Sequence, residues 1–143
     1  MHMITDHLLV GNIDDAQQPP AVVGTLLLVA EELSVIPASW VDYHHIPFRE
    51  FAKADPAKLA QAIEWLEPRV PNGRTLVCCR AGMGRSVSVV MAYLCCVEGR
   101  SYDEVLTLIM TRRPSAMPLP NLQVAIEQVR QLRHSTRSRQ AGP

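Results

Sequence analysis

The chain has 143 residues, enough for one domain with a buried core, and it carries equal numbers of basic and acidic side chains. A net charge of +0 and a pI near 7.0 argue against a general nucleic-acid binder, which needs a basic face. No apolar run reaches the about 20 residues that a bilayer span requires, and no signal peptide is visible. We therefore expect a cytoplasmic, monomeric protein with no membrane span and no nucleic-acid partner.

Short apolar runs in the first half of the chain predict β-strands. They end at turn residues, and the later ones are long enough for buried strands of a parallel sheet. In chain order the predicted strands are HLLVGN, GTLLLVAEE, SWVDYHHIPF and NGRTLVCC.

A helical period appears after the third strand. Asp55 has the pattern of an N-cap, and Pro56 suits the first helical position of DPAKLAQAIEWLEPRV. After the fourth strand, RSVSVVMAYLCCVE is apolar on nearly every side and predicts a buried helix. Two amphipathic helices follow, in SYDEVLTLIMTRR and LPNLQVAIEQVRQL.

The four cysteines form two adjacent pairs, Cys78–Cys79 and Cys95–Cys96. Neighbouring residues rarely bridge to each other, because a disulfide requires Cα atoms about 5.5–6 Å apart. The spacing is not that of a zinc site either. We expect free thiols in a reducing compartment and no metal.

The segment CRAGMGRS joins the fourth strand to the buried helix, and we call it the 79–86 loop. A loop binds phosphate by directing successive backbone N–H groups inward in front of a helix N-terminus, which requires small residues. Ala81, Gly82 and Gly84 supply them. Arg85 can then clamp two phosphate oxygens.

Cys79 stands at the start of this loop. Amide dipoles, a helix N-terminus and the Arg85 guanidinium would all favour its thiolate, which is the nucleophilic form. Ser86 can donate a hydrogen bond to the sulfur when it leaves. The chemistry predicted for this segment is attack on phosphorus through a cysteinyl-phosphate.

The residues from Cys79 to Ser86 resemble the C-x5-R-S/T signature of the protein tyrosine phosphatase superfamily, in the form typical of its small dual-specificity class. The flanks ITDHLLVGN, YHHIPF and RRPSAMPLPN are similar to that class as well, so the resemblance covers residues 4–132. It implies a hydrolase that acts on a phosphorylated protein or peptide. Phosphotyrosine is the expected substrate residue, with phosphoserine and phosphothreonine as further candidates, and no cofactor is expected.

The resemblance also implies the roles of the site residues. Cys79 is the expected nucleophile, Arg85 the phosphate clamp and Ser86 the hydrogen-bond donor to sulfur. The expected substrate phosphate ligands are Arg80, Ala81, Gly82, Met83, Gly84 and Arg85, chiefly through their backbone amides. Asn121 matches an asparagine that supports the loop in relatives, and its position after Pro120 is also that of a helix N-cap; the two roles are compatible. The Arg80 side chain either points to solvent or adds charge at the pocket mouth.

Two positions depart from the family pattern. Histidine usually precedes the nucleophile, and here Cys78 does; it is either a small buried strand residue, which we favour, or a redox partner. The family's general acid is an aspartate shortly after an Ile/Val-Pro strand end. Counting from Ile46-Pro47 puts Glu50 there, whereas the alternative, Asp55, has the pattern of a helix cap.

We expect a single α/β domain with a central mixed or parallel sheet of about four or five strands flanked by helices. The phosphate-binding loop should lie between the last central strand and the buried helix. The catalytic domain is placed at residues 1–132, and a basic, disordered tail at 133–143. Two alternatives to a phosphatase stay open: a phosphate-binding pseudophosphatase, and a rhodanese-like sulfurtransferase in which CRAG would carry a persulfide.

Overall fold

The computed structural model describes the backbone of residues 1–140 and the side chains of residues 1–136. It confirms the expected α/β class. In chain order the elements are β1 (His2–Met3), β2 (Leu8–Gly11), α1 (Ile13–Gln17), β3 (Thr25–Leu28), β4 (Asp42–His45), α2 (Pro56–Leu66), a 3-10 turn (Val70–Asn72), β5 (Thr75–Cys78), α3 (Arg85–Cys96), α4 (Tyr102–Arg112) and α5 (Leu122–Gln140).

The strands form one mixed sheet in the order β1-β2-β5-β3-β4. β1 pairs antiparallel with β2, and all other neighbours are parallel. The last residue of β5, Cys78, is in register with Gly11 of β2 and Leu28 of β3. The carboxyl ends of three parallel strands therefore meet at one edge, which is where ligands bind in open α/β sheets.

Helix α3 is the central helix of the domain. It contacts β2 and β5 on the sheet side and α2, α4 and α5 on its other sides. Its residues are buried from Arg85 to Cys95, as its apolar sequence predicted. Because α3 begins directly after β5 and a short loop, its N-terminus is fixed at the carboxyl edge of the sheet.

Side-chain caps set the starts of two helices, and the cap at Asp55 was predicted from the sequence. The Asp55 carboxylate accepts a hydrogen bond of 2.9 Å from the Ala57 amide, and Pro56 opens α2. At α4, the Ser101 hydroxyl accepts from the Glu104 amide at 3.2 Å. Two short elements, β1 and α1, were not predicted.

The chain end differs from its expectation. We predicted a disordered tail from residue 133, but α5 continues through residues 133–140. Arg133 donates to the Glu67 carboxylate at 2.8 Å, which ties this part of α5 to the end of α2, and basic residues near a helix C-terminus also interact favourably with its dipole. Residues 141–143 lie outside the described part of the chain. No helix within the described residues is long and apolar enough to cross a membrane.

Candidate active site

The 79–86 loop turns sharply where it leaves the sheet. Gly82 has φ +69°, in the left-handed region. A Cβ atom on Gly82 would lie 2.6 Å from the Gly11 carbonyl oxygen and 2.7 Å from an Nη atom of Arg113. Gly84 is the N-cap residue of α3. Glycine is thus required at residue 82 by both backbone angle and space, and the loop folds tightly against β2.

Cys79 and Ser86 face each other across this loop. The Cys79 sulfur and the Ser86 hydroxyl oxygen lie 3.2 Å apart, and both residues are buried. The Cys79 amide donates to the Gly11 carbonyl at 3.4 Å, which fixes the start of the loop to the end of β2. The sulfur therefore has a hydroxyl partner in place beside it.

Arg85 is 2% exposed, and its guanidinium is held at one edge. Nη1 and Nη2 donate to the two carboxylate oxygens of Glu32 at 2.5 and 2.8 Å, and Nη1 also donates to the Phe48 carbonyl at 3.1 Å. A guanidinium has five N–H groups. The Nε–H and one Nη2 N–H form its other fork, which the bonds to Glu32 and Phe48 do not use.

Glu32, which holds Arg85, was not among the residues predicted for the site. Hydrogen bonding from Arg85 is the main reason that the pKa of Glu32 is lowered to about 2. Arg80 also donates to Glu32, with an Nε to oxygen distance of 3.2 Å, so its side chain lies on this carboxylate. The sequence does contain a signal for this residue. Two glutamates follow β3, and β3 ends at the same edge of the sheet as β5.

Arg113 supports the loop from the other side. It is buried, and it donates from Nε to the Gly82 carbonyl at 2.5 Å and from Nη2 to the Ala81 carbonyl at 3.4 Å. Its Nη1 donates to Nδ1 of His2 at 2.5 Å. Burial, and then the positive charge of Arg113, lower the pKa of His2.

Asn121 was expected to support the loop, and it occupies a different place. It is exposed at the start of α5 with φ +64°, where its backbone carbonyl accepts from the Ala125 amide. Ser88 makes the support instead. Its hydroxyl donates to the Gly84 carbonyl at 2.7 Å and accepts from the Leu119 amide at 2.9 Å.

A cleft of about 220 Å³ opens over the loop. Its lining residues are Glu50, Phe51, Cys79, Ala81, Met83, Gly84, Arg85, Met117, Pro118, Leu119 and Pro120. The Glu50 carboxylate lies 4.0 Å from Nη2 of Arg85 and is 38% exposed. Asp55 lines a neighbouring groove, where it caps α2. Of the two candidate acids, Glu50 is the one that shares a cleft with Cys79.

Cys78 lies inside the sheet. It is the last residue of β5 and is fully buried. Burial raises the pKa of the Cys78 thiol well above its ordinary value. This geometry favours a packing role over a redox role.

A cysteine and an arginine at the two ends of a short glycine-containing loop, at the carboxyl edge of a mixed sheet, are the arrangement of the protein tyrosine phosphatase class. Residues 25–135 match the family model described as "Dual specificity phosphatase, catalytic domain". The chain therefore belongs to this family, as the resemblance predicted.

Curated relatives are similar over part of the chain. The chain is 42% identical to rat "Dual specificity protein phosphatase 15" over 60 residues, which are 42% of this chain and 25% of that protein. It is 32% identical to Drosophila melanogaster "Dual specificity protein phosphatase Mpk3" over 80 residues, 54% of this chain and 20% of that protein. The chain thus spans a quarter or less of the length of these relatives.

Solved structures share the fold. Human DUSP28 superimposes with a TM-score of 0.82 at 22% identity, covering 95% of this chain and 99% of that one. DUSP15 gives 0.76 at 24% identity, covering 96% and 94%. Identities this low establish the architecture only.

Proposed function

We propose that this chain is a cysteine-dependent protein phosphatase, a hydrolase that releases phosphate from phosphotyrosine and, as further candidates, phosphoserine and phosphothreonine. The observation that carries the proposal is the placement of the Cys79 sulfur, 3.2 Å from the Ser86 hydroxyl, at the N-terminus of α3 in the cleft that Arg85 also lines. These are the parts that phosphoryl transfer to sulfur requires.

In the first step the Cys79 thiolate attacks phosphorus, so that a sulfur–phosphorus bond forms as the bond to the leaving oxygen breaks. The loop amides from Arg80 to Arg85 and the free fork of Arg85 hold the phosphoryl oxygens. Glu50, in its protonated form, donates its proton to the leaving oxygen. The product is a cysteinyl-phosphate and a free hydroxyl group on the substrate.

In the second step water attacks phosphorus, and the Glu50 carboxylate takes its proton. The sulfur–phosphorus bond breaks, and the electron pair returns to Cys79 as thiolate. The Ser86 hydroxyl, 3.2 Å away, stabilises that charge by donating a hydrogen bond. Arg85 and the amides supply the positive potential in both steps, so the mechanism calls on no metal or organic cofactor.

Retention of Cys79, Arg85 and Ser86 in this geometry supports turnover over a binding-only pseudophosphatase. The length of the 79–86 loop supports a phosphatase over a rhodanese-like sulfurtransferase. A cytoplasmic location and a monomeric state stay predictions from the sequence.

The test is hydrolysis of p-nitrophenyl phosphate under reducing conditions without added metal, for wild type and Cys79→Ser. We expect activity in wild type and its loss by at least about 10³-fold in Cys79→Ser, because a hydroxyl is not ionised at neutral pH. A wild type without activity would contradict the proposal, and so would a Cys79→Ser variant that retains it.

The acid is tested by comparing Glu50→Gln with Asp55→Asn over pH 4–8. Glutamine cannot donate the proton, so we expect the basic limb of the pH–rate profile to disappear and kcat to fall by about 10²-fold. Asparagine caps a helix as well as aspartate does, so Asp55→Asn should leave both fold and activity unchanged. The reverse pattern would move the role to Asp55.

A further inference from the structure

The cleft extends well beyond the phosphate site. Only part of its lining belongs to the 79–86 loop; Phe51 stands on one side, and the segment from Met117 to Pro120 forms the other. The Met117 amide donates to the Met83 carbonyl at 2.7 Å, so the two methionines belong to one continuous wall. Apart from Glu50 and Arg85, every lining side chain other than the nucleophile is apolar.

Two of these apolar side chains are exposed to an unusual degree. Phe51 is 81% exposed and Met117 is 66% exposed. Phe51 also has φ +60°, a conformation that is unfavourable for a bulky residue and that persists mainly at functional sites. An exposed aromatic ring on a strained backbone does not stabilise the free protein. A bound ligand that covers the ring would remove it from water.

The arginines in and beside the cleft already have carboxylate partners. Arg85 and Arg80 both donate to Glu32. Arg49, in the neighbouring groove, lies 3.6 Å from the Glu31 carboxylate. With Glu50 in the cleft as well, a second negative group on the substrate would find a carboxylate and apolar walls rather than a free cation.

One groove beside the cleft does contain basic residues, and it shares only Leu119 with the cleft. It holds Arg49, Lys53 and Lys58, but Glu31 and Asp55 line it too, and Lys58 already donates to the Pro47 carbonyl. Its charge is mixed, so a second phosphate placed there would face two carboxylates as well as the three basic side chains.

We propose that the wall formed by Phe51, Met83 and Met117 binds a large apolar side chain next to the phosphorylated residue. The substrate class is then a singly phosphorylated peptide segment with an apolar neighbour, rather than a doubly phosphorylated or acidic one. This inference rests on the proposed function, because it concerns the same cleft.

The experiment uses matched phosphotyrosine peptides. One series carries leucine, alanine or aspartate on either side of the phosphotyrosine, and one peptide carries a phosphothreonine two residues before it. Phosphate release should rank leucine above alanine by about fivefold to tenfold in kcat/KM, with the aspartate and doubly phosphorylated peptides below alanine. Equal rates across the series, or a preference for the second phosphate, would overturn the inference.

The variant Met117→Lys tests whether this wall causes the preference for leucine. It should reverse the ranking, so that aspartate exceeds leucine, because the new ammonium attracts a carboxylate and interrupts the apolar surface. Met110→Lys is the matched control, since Met110 is an exposed methionine, 41% exposed, on α4 and outside the cleft lining. A ranking unchanged in Met117→Lys, with its melting temperature intact, would also overturn the inference.

Two readouts separate failure here from failure of the proposed function. p-Nitrophenyl phosphate has no flanking residue, so its hydrolysis by wild type tests the phosphatase alone. Peptide dissociation constants measured on Cys79→Ser require no turnover, and they should follow the same ranking as kcat/KM. A flat ranking of those constants, beside normal hydrolysis of p-nitrophenyl phosphate, would reject the apolar subsite and leave the phosphatase standing.

Discussion

Two buried arginines hold the 79–86 loop, and they do so in opposite ways. Arg85 is held by the carboxylate of Glu32, which carries a full negative charge, and its Nε–H and second Nη2 N–H take no part in that pair. Arg113 is held by neutral acceptors, the carbonyls of Gly82 and Ala81 and the imidazole of His2.

This difference gives the two arginines different proposed roles: Arg85 binds the substrate, and Arg113 sets the shape of the loop. In a trans peptide the C=O of one residue and the N–H of the next point in opposite directions. By drawing two carbonyls toward itself, Arg113 turns the Gly82 and Met83 amides the other way, toward the side where phosphate is proposed to bind. Arg85 would then contact the substrate, whereas Arg113 would act only through the loop.

Of the substitutions that test the contrast between Arg85 and Arg113, Arg85→Lys should have the largest effect. Lysine keeps the charge but loses the planar fork, so it cannot pair with Glu32 and clamp phosphate at once. We expect kcat/KM for p-nitrophenyl phosphate to fall by about 10²–10³-fold. Arg49→Lys, at an arginine whose side chain is 77% exposed, is the control and should change kcat/KM less than twofold. A loss of less than tenfold in Arg85→Lys would remove Arg85 as the clamp.

Gly82→Ala attacks the shape of the loop rather than its charge. The new Cβ would meet the Gly11 carbonyl at 2.6 Å, so the loop must move, and we expect kcat/KM to fall by about 10²-fold together with a lower melting temperature. Gly99→Ala is matched, because Gly99 has φ +70° but nothing within 4 Å of its Cβ position. It should cost stability of about 1–2 kcal/mol and no activity. Equal losses in both variants would mean that backbone angle alone matters.

The sequence predicted what depends on neighbours in the chain. The strand before Cys79, the buried helix after it and the Asp55 cap all follow from local periodicity and cap chemistry, and the structure agrees. The two arginine supports were missed because their partners are distant: Glu32 is 53 residues from Arg85, and Gly82 is 31 from Arg113. The helical run of residues 133–140 was missed for a similar reason, since Arg133 pairs with Glu67 across 66 residues.

Arg113→Lys tests whether the second arginine shapes the site or only stabilises the fold. One ammonium group cannot reach both loop carbonyls. We therefore expect kcat to fall by about tenfold and the inhibition constant of inorganic phosphate to rise. Arg112→Lys, at the exposed neighbour, should leave both constants unchanged. A lower melting temperature with an unchanged inhibition constant of inorganic phosphate would mean that Arg113 only stabilises the fold.

The smallest effect concerns the anchor of Arg85 and its pH dependence. Because the pKa of Glu32 is lowered from 4.5 to about 2 in the folded chain, its ion pair contributes stability above pH 4.5 and loses it as the pH falls toward 2. Glu32→Gln should therefore lower the melting temperature at pH 7 by about 3 °C, and this deficit should shrink toward pH 2.

Glu31→Gln is the control for that measurement, because the neighbouring Glu31 is more exposed and lies 3.6 Å from the exposed Arg49. Its melting temperature should equal that of wild type at every pH. The titration of the other acidic groups then cancels when the two variants are compared. A deficit in Glu32→Gln that stays constant from pH 7 to pH 2 would mean that the Glu32 charge does not stabilise the pair. Arg85 would then be held by its bond to the Phe48 carbonyl and by packing, as Arg113 is held by carbonyls, and the contrast between the two arginines would disappear.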